Sequence, residues 1–236
     1  MTLIAAALSS AEETAASTED RIAAAIRRAV LTQQLPSATK LPESKLAAIF
    51  DVNRAVVRAA LIRLSSDRIV KLRRNQSAIV VSPSAEETAQ LFSARRTVET
   101  QVVRETIGHL PNAARHELEQ IIAAEQDAHL AQAHNQRINL SLRFHEVIAS
   151  ACPNRVLGDI LQDLVVRTSV AVALYKVPGM AACYRCADHH GIAEALIAGD
   201  TASVVERTEA HLHYLEQRLN HARSPQTVDL ATILGG

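Results

Sequence analysis

LPESKLAAIFDVNRAVVRAALIRLSSDRIVKLRRNQSAIVV, residues 41 to 81, reads as two short helices joined by a tight turn and followed by a basic β-hairpin. The first helix is predicted from Glu43 to Phe50. Leu46, Ala47 and Phe50 share its apolar face, and Pro42 stands at its entry, where a missing N–H costs little. Asp51-Val52-Asn53 breaks the period, and Asn53 is a suitable N-cap for a second helix from Arg54 to Ser66. In that helix Val57, Leu61 and Leu64 recur at intervals of three and four and face inward, while Arg54, Arg58 and Arg63 take the opposite face. Ile69–Leu72 and Ala78–Val81 then form two predicted strands around Arg73-Arg74-Asn75-Gln76, with Asn75 able to take the positive φ of the turn. Helix, turn, helix and hairpin in this order make a winged helix-turn-helix.

The residue types match what a double helix demands. A recognition helix enters the major groove by a slim polar face, and arginine can grip guanine O6 and N7 with two bonds or clamp a phosphate. Arg54 and Arg58 lie one turn apart on such a face, with Lys45, Asn53 and Arg63 as further candidates. Lys71, Arg73 and Arg74 of the wing are placed to reach the backbone or the adjacent minor groove. A lone run of charges would be read as a solvated helix face. Four elements in the right order argue instead for a DNA-binding head. The chain as a whole is neutral, but residues 18–82 hold 12 Lys plus Arg against 5 Asp plus Glu, a net of +7, and residues 83–236 hold 13 against 18, a net of −5. Positive charge is gathered where a polyanion would be met.

On these residues the chain resembles the GntR family of bacterial transcription regulators. A leading helix, Thr18 to Gln34, precedes Leu41-Pro42-Glu43, Leu46-Ala47, Arg54, Arg58 and Ala60-Leu61, which match the family's Leu-x-Glu step, Leu-Ala pair, two arginines and terminal Ala-Leu. The family's usual glycines are replaced by Pro36-Ser37-Ala38 and Asn75-Gln76. Its Ser-Arg-Thr-Pro-Val-Arg-Glu-Ala-Leu becomes Asn53-Arg54-Ala55-Val56-Val57-Arg58-Ala59-Ala60-Leu61, so both arginines are kept while a hydroxyl and a carboxylate are lost.

Residues 1–17, rich in Ala, Ser and Thr, read as a disordered arm, and nothing there has the basic start and long apolar run of a signal peptide. No stretch reaches the ~18 consecutive apolar residues of a membrane span, which points to a cytoplasmic protein without a membrane partner. Cys152, Cys183 and Cys186 are too few for a disulfide scaffold. After Pro83 the pattern turns helical. Ser84 with Glu87 forms a capping box that opens a helix to Ile107, and further helices are predicted near 112–133, 136–151, 155–174, 179–198 and 201–222. The expected fold is therefore mainly α: an N-terminal winged helix-turn-helix with a small β-hairpin, residues 18–82, and an all-α bundle of six to seven helices, residues 83–223. Residues 224–236 would be a loose tail or a short final helix.

His145, His189 and His211 fall on three separate predicted helices. Phe144-His145, His189 three residues before Ile192, Gly199-Asp200 and His211-Leu212 resemble the FCD effector domain of the FadR branch of the GntR regulators. The resemblance implies a divalent metal on the three histidines, together with an Asp one helical turn before the first; Ser141 occupies that position here. Three imidazoles without a carboxylate favour Zn²⁺ or Ni²⁺ over a harder ion, with water or an effector carboxylate completing the shell. Arg95 matches an arginine that meets the effector's carboxylate in this family, and Asn139 and Arg143 are further candidates for the same cavity. Arg95 can also be read as half of an i, i+4 pair with Glu99 on a solvated helix. Cys183-Tyr184-Arg185-Cys186 has CxxC spacing, from which Cys183, Cys186 and His190 could take a metal, although packing of two small thiols explains it more simply.

The sequence thus describes a ligand-responsive DNA-binding regulator and not an enzyme. It is expected to be a homodimeric repressor released from a pseudo-palindromic operator by a small organic acid. Two alternatives stand beside it. A metal-dependent helical-bundle enzyme would need a general base, and Glu146, next to His145, points about 100° away from it. An architectural DNA-binding protein without an effector would use the bundle only to dimerise.

Overall fold

The computed structural model describes residues 17–32, 34–175, 186–221 and 228–235. The chain divides into two compact units, Met1–Ser82 together with Ser224–Gly236, and Pro83–Arg223.

The first unit is built on α1 (Thr18–Leu31), β1 (Lys40–Leu41), α2 (Glu43–Ile49), α3 (Arg54–Ser66), β2 (Val70–Arg73) and β3 (Gln76–Val80). Ser17 and Asp20 close a capping box at the start of α1, whose Ile22, Ile26 and Val30 are buried. Asn53 caps α3 as expected, its Oδ1 accepting from Val56 N at 3.1 Å. Val57, Leu61 and Leu64 of α3 pack inward with Leu46 of α2, Ile69 and Val80, all at most 1 % exposed. Each such side chain contributes about 1.5–3 kcal/mol on leaving water.

The wing is an antiparallel three-stranded sheet in the order β1-β3-β2. Asn75 has φ 56°, which lets Arg74-Asn75 turn the chain tightly, and β3 accordingly begins at Gln76, two residues before the predicted strand. β1 was not expected. It is two residues long, too short to leave an alternating pattern, and pairing with β3 in the register Lys40↔Ile79 and Leu41↔Ala78 creates it. Residues 224–236, set apart as a tail in the sequence reading, are grouped with this unit, and α10 (Leu230–Leu234) packs on α1 and α2.

The second unit is all α: α4 (Ala85–Thr106), α5 (Asn112–Leu130), α6 (His134–Ala151), α7 (Arg155–Tyr175), α8 (Cys186–Ala198) and α9 (Thr201–Gln217). Ser84 and Glu87 exchange the two bonds of the capping box at 3.0 and 2.8 Å. Val102, Leu118, Phe144, Ile148, Leu161, Val165, Ile192 and Val204 form the main core. Gly158 sets the approach of α7 to α6, because a Cβ there would lie 2.5 Å from the Ala149 carbonyl oxygen. Residues 179–185 of the predicted 179–198 helix lie outside the described residues, as does Cys183 of the CxxC pair. His190 is exposed and meets Glu194 at 3.1 Å. Among the described residues no helix is long and apolar enough to cross a membrane.

Candidate functional site: a basic head and a buried histidine cluster

The head exposes most of its candidate residues, but only some of them share a groove: Arg63 turns toward Asp20 of α1 and Lys45 toward Asp229. Arg54, Arg58 and Arg63 are exposed on α3, as are Lys71 and Arg74 in the wing; Lys45 is exposed on α2 and Asn53 at the α3 cap. A groove of about 580 Å³ runs between α3 and the wing, lined by Arg54, Arg58, Arg73, Ile62, Leu72 and Asn75 among others. Several of these cations are already engaged. Arg58 makes a two-pronged pair with Glu43, Nε to Oε1 and Nη2 to Oε2 at 2.9 Å each. That bond holds the Glu43 carboxyl below the usual carboxylate range. Arg63 pairs with Asp20, Lys45 pairs with Asp229 at 3.0 Å, and Arg73 donates its Nε to the Ser77 carbonyl. Arg54, Lys71 and Arg74 make no ion pair among the described residues. These pairs are solvent-screened and worth little to stability, so the cations can exchange partners when phosphates arrive.

All six described helices of the bundle contribute to a buried polar centre. His145 of α6, His189 of α8 and His211 of α9 are at most 3 % exposed and place ligand nitrogens within 4.8 Å of one another. Each ring faces a carboxylate. His145 Nδ1 lies 2.6 Å from Glu99 Oε1, His189 Nδ1 lies 2.9 and 3.0 Å from the two Glu125 oxygens, and His211 Nδ1 lies 3.5 Å from Asp188 Oδ2. At His145 and His189 the carboxylate hydrogen-bonded at Nδ1 selects the tautomer protonated there and makes Nε2 the lone-pair nitrogen, as in metal-binding histidines. Phe144 stacks on His189 at 4.3 Å and fixes that ring.

The electrostatics favour neutral imidazoles at His145 and His189. Burial pushes His145 down to about 3 in spite of the Glu99 charge beside it. Burial and the neighbouring His211 hold His189 well below its usual value. Burial alone would raise the Glu99 carboxyl, but Arg95 and His145 outweigh it and hold the group well below the carboxylate range. Neutral imidazole is the form that ligates metal. Apart from the Asp188 carboxylate 3.5 Å away, His211 meets no hydrogen-bond partner at either ring nitrogen among the described residues, although the ring is buried. An orphaned donor set of this kind costs free energy unless something is bound to it. Nitrogens on one tetrahedral ion stand ~3.3 Å apart, so loading would draw the rings together.

Arg95 sits beside the cluster, 2 % exposed, and not on a solvated helix face. Its Nε donates to Glu99 Oε2 at 2.7 Å and its Nη1 to Thr168 Oγ1 at 2.8 Å, leaving Nη2 buried without a hydrogen-bond partner among the described residues. One donor is therefore open and not the two-pronged fork. Asn139 and Arg143 are not brought to this centre. Both are exposed on α6, and Arg143 pairs with Glu117 at 2.6 Å and with Glu146 at 3.5 Å. Glu125, Thr168 and Asp188 were missed by the sequence reading. Glu125 had a signal, because it interrupts the apolar stripe of Leu118, Ile121 and Ala128 on α5.

Comparison with known proteins agrees with this architecture. Residues 18–81 match the model for bacterial regulatory proteins of the gntR family, and residues 90–214, more than half the chain, match the FCD domain. The chain belongs to the FCD-domain family and carries in front of that domain one of the gntR family of bacterial regulatory proteins, and both are domains of regulators and not of an enzyme. It is 37% identical over 87 residues to a gluconate operon transcriptional repressor of Bacillus licheniformis and 36% identical over 87 residues to that of Bacillus subtilis. Each alignment covers 37% of this chain and 35% of the relative, so the chain spans about a third of the length of the curated relatives it matches. In fold it is similar to E. coli McbR/YncC, with a TM-score of 0.72 at 20% identity over 86% of this chain and 98% of that one. A putative GntR transcriptional regulator from Rhodococcus sp. RHA1 gives 0.73 at 21% identity over 89% and 100%.

Proposed function

We propose that this protein is a ligand-responsive transcriptional repressor of the FadR type, acting in the cytoplasm as a homodimer on a pseudo-palindromic operator and released by a small organic acid. The observation that carries the reading is the pairing of two features in one chain: an arginine-bearing helix beside a basic wing, and a buried cluster of three histidines with an open guanidinium donor. Arg54 and Arg58 would read base edges, and Lys45, Asn53, Arg63, Lys71, Arg73 and Arg74 would contact phosphate. His145, His189 and His211 would hold a divalent ion, Zn²⁺ or Ni²⁺, oriented through Glu99, Glu125 and Asp188. Such an ion would tie α6, α8 and α9 together and offer a carboxylate an open position. Arg95 would add a single hydrogen bond through Nη2. The effector acts only if it binds the released arrangement more tightly than the DNA-competent one.

Fluorescence anisotropy on a labelled duplex from the protein's own upstream region tests the whole reading. Tight, sequence-selective binding, relieved by one acid from a panel that includes gluconate and dicarboxylates, supports it. Selective binding that no acid or chelator alters would favour the architectural alternative. The metal is tested separately by thermal unfolding with Zn²⁺ alone: a hundredfold excess over Kd adds about 2.7 kcal/mol, and His211→Ala removes the gain.

A further inference from the structure

The chain leaves the first unit at Ser82, runs through the whole bundle, and its last segment belongs to the first unit again. That segment is anchored. Leu230 and Leu234 are 3 % and 8 % exposed, and a Cβ on Gly235 would lie 3.7 Å from Ile49 Cγ2 of α2. Asp229 caps α10. Its Oδ1 accepts from Ala231 N at 3.3 Å and its Oδ2 from Thr232 Oγ1 at 2.9 Å. The same Oδ1 accepts from Lys45 Nζ at 3.0 Å. These bonds hold the Asp229 carboxyl down to about 2, the Lys45 bond contributing most.

Lys45 stands on α2, the first helix of the helix-turn-helix, which in this motif crosses the DNA backbone. Its side chain is about half exposed, so the contact is open to exchange. A phosphate approaching Lys45 meets a carboxylate that is already in place, because the cap fixes its position before any DNA arrives. We propose that Asp229 is a positioning residue for DNA binding: the returning C-terminal segment sets an anion against Lys45, competes with the phosphate for it, and so restrains the head's affinity for DNA. The competitor lies eight residues beyond His221, which follows α9. The bundle and the brake are thus parts of one covalent run.

The inference rests on the DNA-binding reading and is tested beside it, by anisotropy of the full chain on one duplex across a salt series. Asp229→Asn keeps an N-cap of equal quality and removes only the charge. The expected result is two- to fivefold tighter binding at low salt, from the size of an exposed pair, with log K against log salt steeper by about 0.9, one further phosphate. In a Lys45→Ala background the gain disappears, which a purely structural effect on α10 would not do. If the parent chain binds DNA with salt dependence and Asp229→Asn leaves affinity and slope unchanged, the inference fails while the function stands. A gain that persists without Lys45 overturns it equally. If the parent chain binds no duplex, both fall together.

Discussion

The two units handle charge in opposite ways. In the head the cations lie at the surface, paired with acids that solvent screens, so Arg58–Glu43 and Lys45–Asp229 can be broken cheaply and remade with phosphates. In the bundle Arg95, Glu99, His145 and His189 are within 3 % of complete burial, and each charged group depends on its neighbour. A surface that must exchange partners keeps its ions wet. A centre that holds one arrangement keeps them dry, where a missing partner costs several kcal/mol.

The sharpest way to break this contrast is Glu99→Ala. It strands the Arg95 guanidinium in the interior and should cost about 3–5 kcal/mol, read as a lowered midpoint in urea. A loss no larger than that of a surface pair would show that the bundle's ions are not interdependent. Acidification comes next. The folded chain keeps His145 and His189 neutral, whereas an unfolded chain protonates them below pH 6.5, so stability is full above that value and falls as pH drops toward 3. At pH 5 His145 contributes about 2 kcal/mol of loss, and His189 adds to it in the same direction. Below pH 4.5 the depressed Glu99 carboxyl adds to the fall. Thermal unfolding of chelated protein at pH 7 and pH 5 measures this, and a flat profile would mean the cluster accepts protons when folded.

In the head, Arg58→Ala should weaken operator binding about 5- to 150-fold if the residue reads a base, with little change in unfolding midpoint. Arg73→Ala should instead lower affinity evenly across sequences and reduce the salt slope by about one. If neither variant alters binding, the α3 and wing surface is not where DNA docks. The smallest effect belongs to Arg143→Ala, whose half-exposed pairs with Glu117 and Glu146 are worth at most about 0.5 kcal/mol after screening. A loss of effector response in that variant would return Arg143 to the binding site.

The winged helix was legible because its signals are local. A cap at Asn53, apolar steps at Val57, Leu61 and Leu64 and a turn at Asn75 each act within a few residues. The three histidines were legible by type and spacing. The acids behind them were not, because Glu99 and Glu125 lie 46 and 64 residues from the rings they face, and no helical period links such positions. Arg143 and Arg95 looked alike in sequence. Only burial separated them.

By itself the sequence determined the order of elements, the exposed arginine face of α3, the Ser84 helix start and the helices carrying His145, His189 and His211. These follow from hydrogen bonds and side-chain periods within a turn or two of the backbone. Tertiary structure decided the rest. It closed β1 onto β3, gave each histidine its carboxylate, left Arg95 with one open donor and brought Asp229 to Lys45 across 184 positions of chain. Those partnerships depend on which faces are buried against which, and burial is a property of the packed whole that no local pattern encodes.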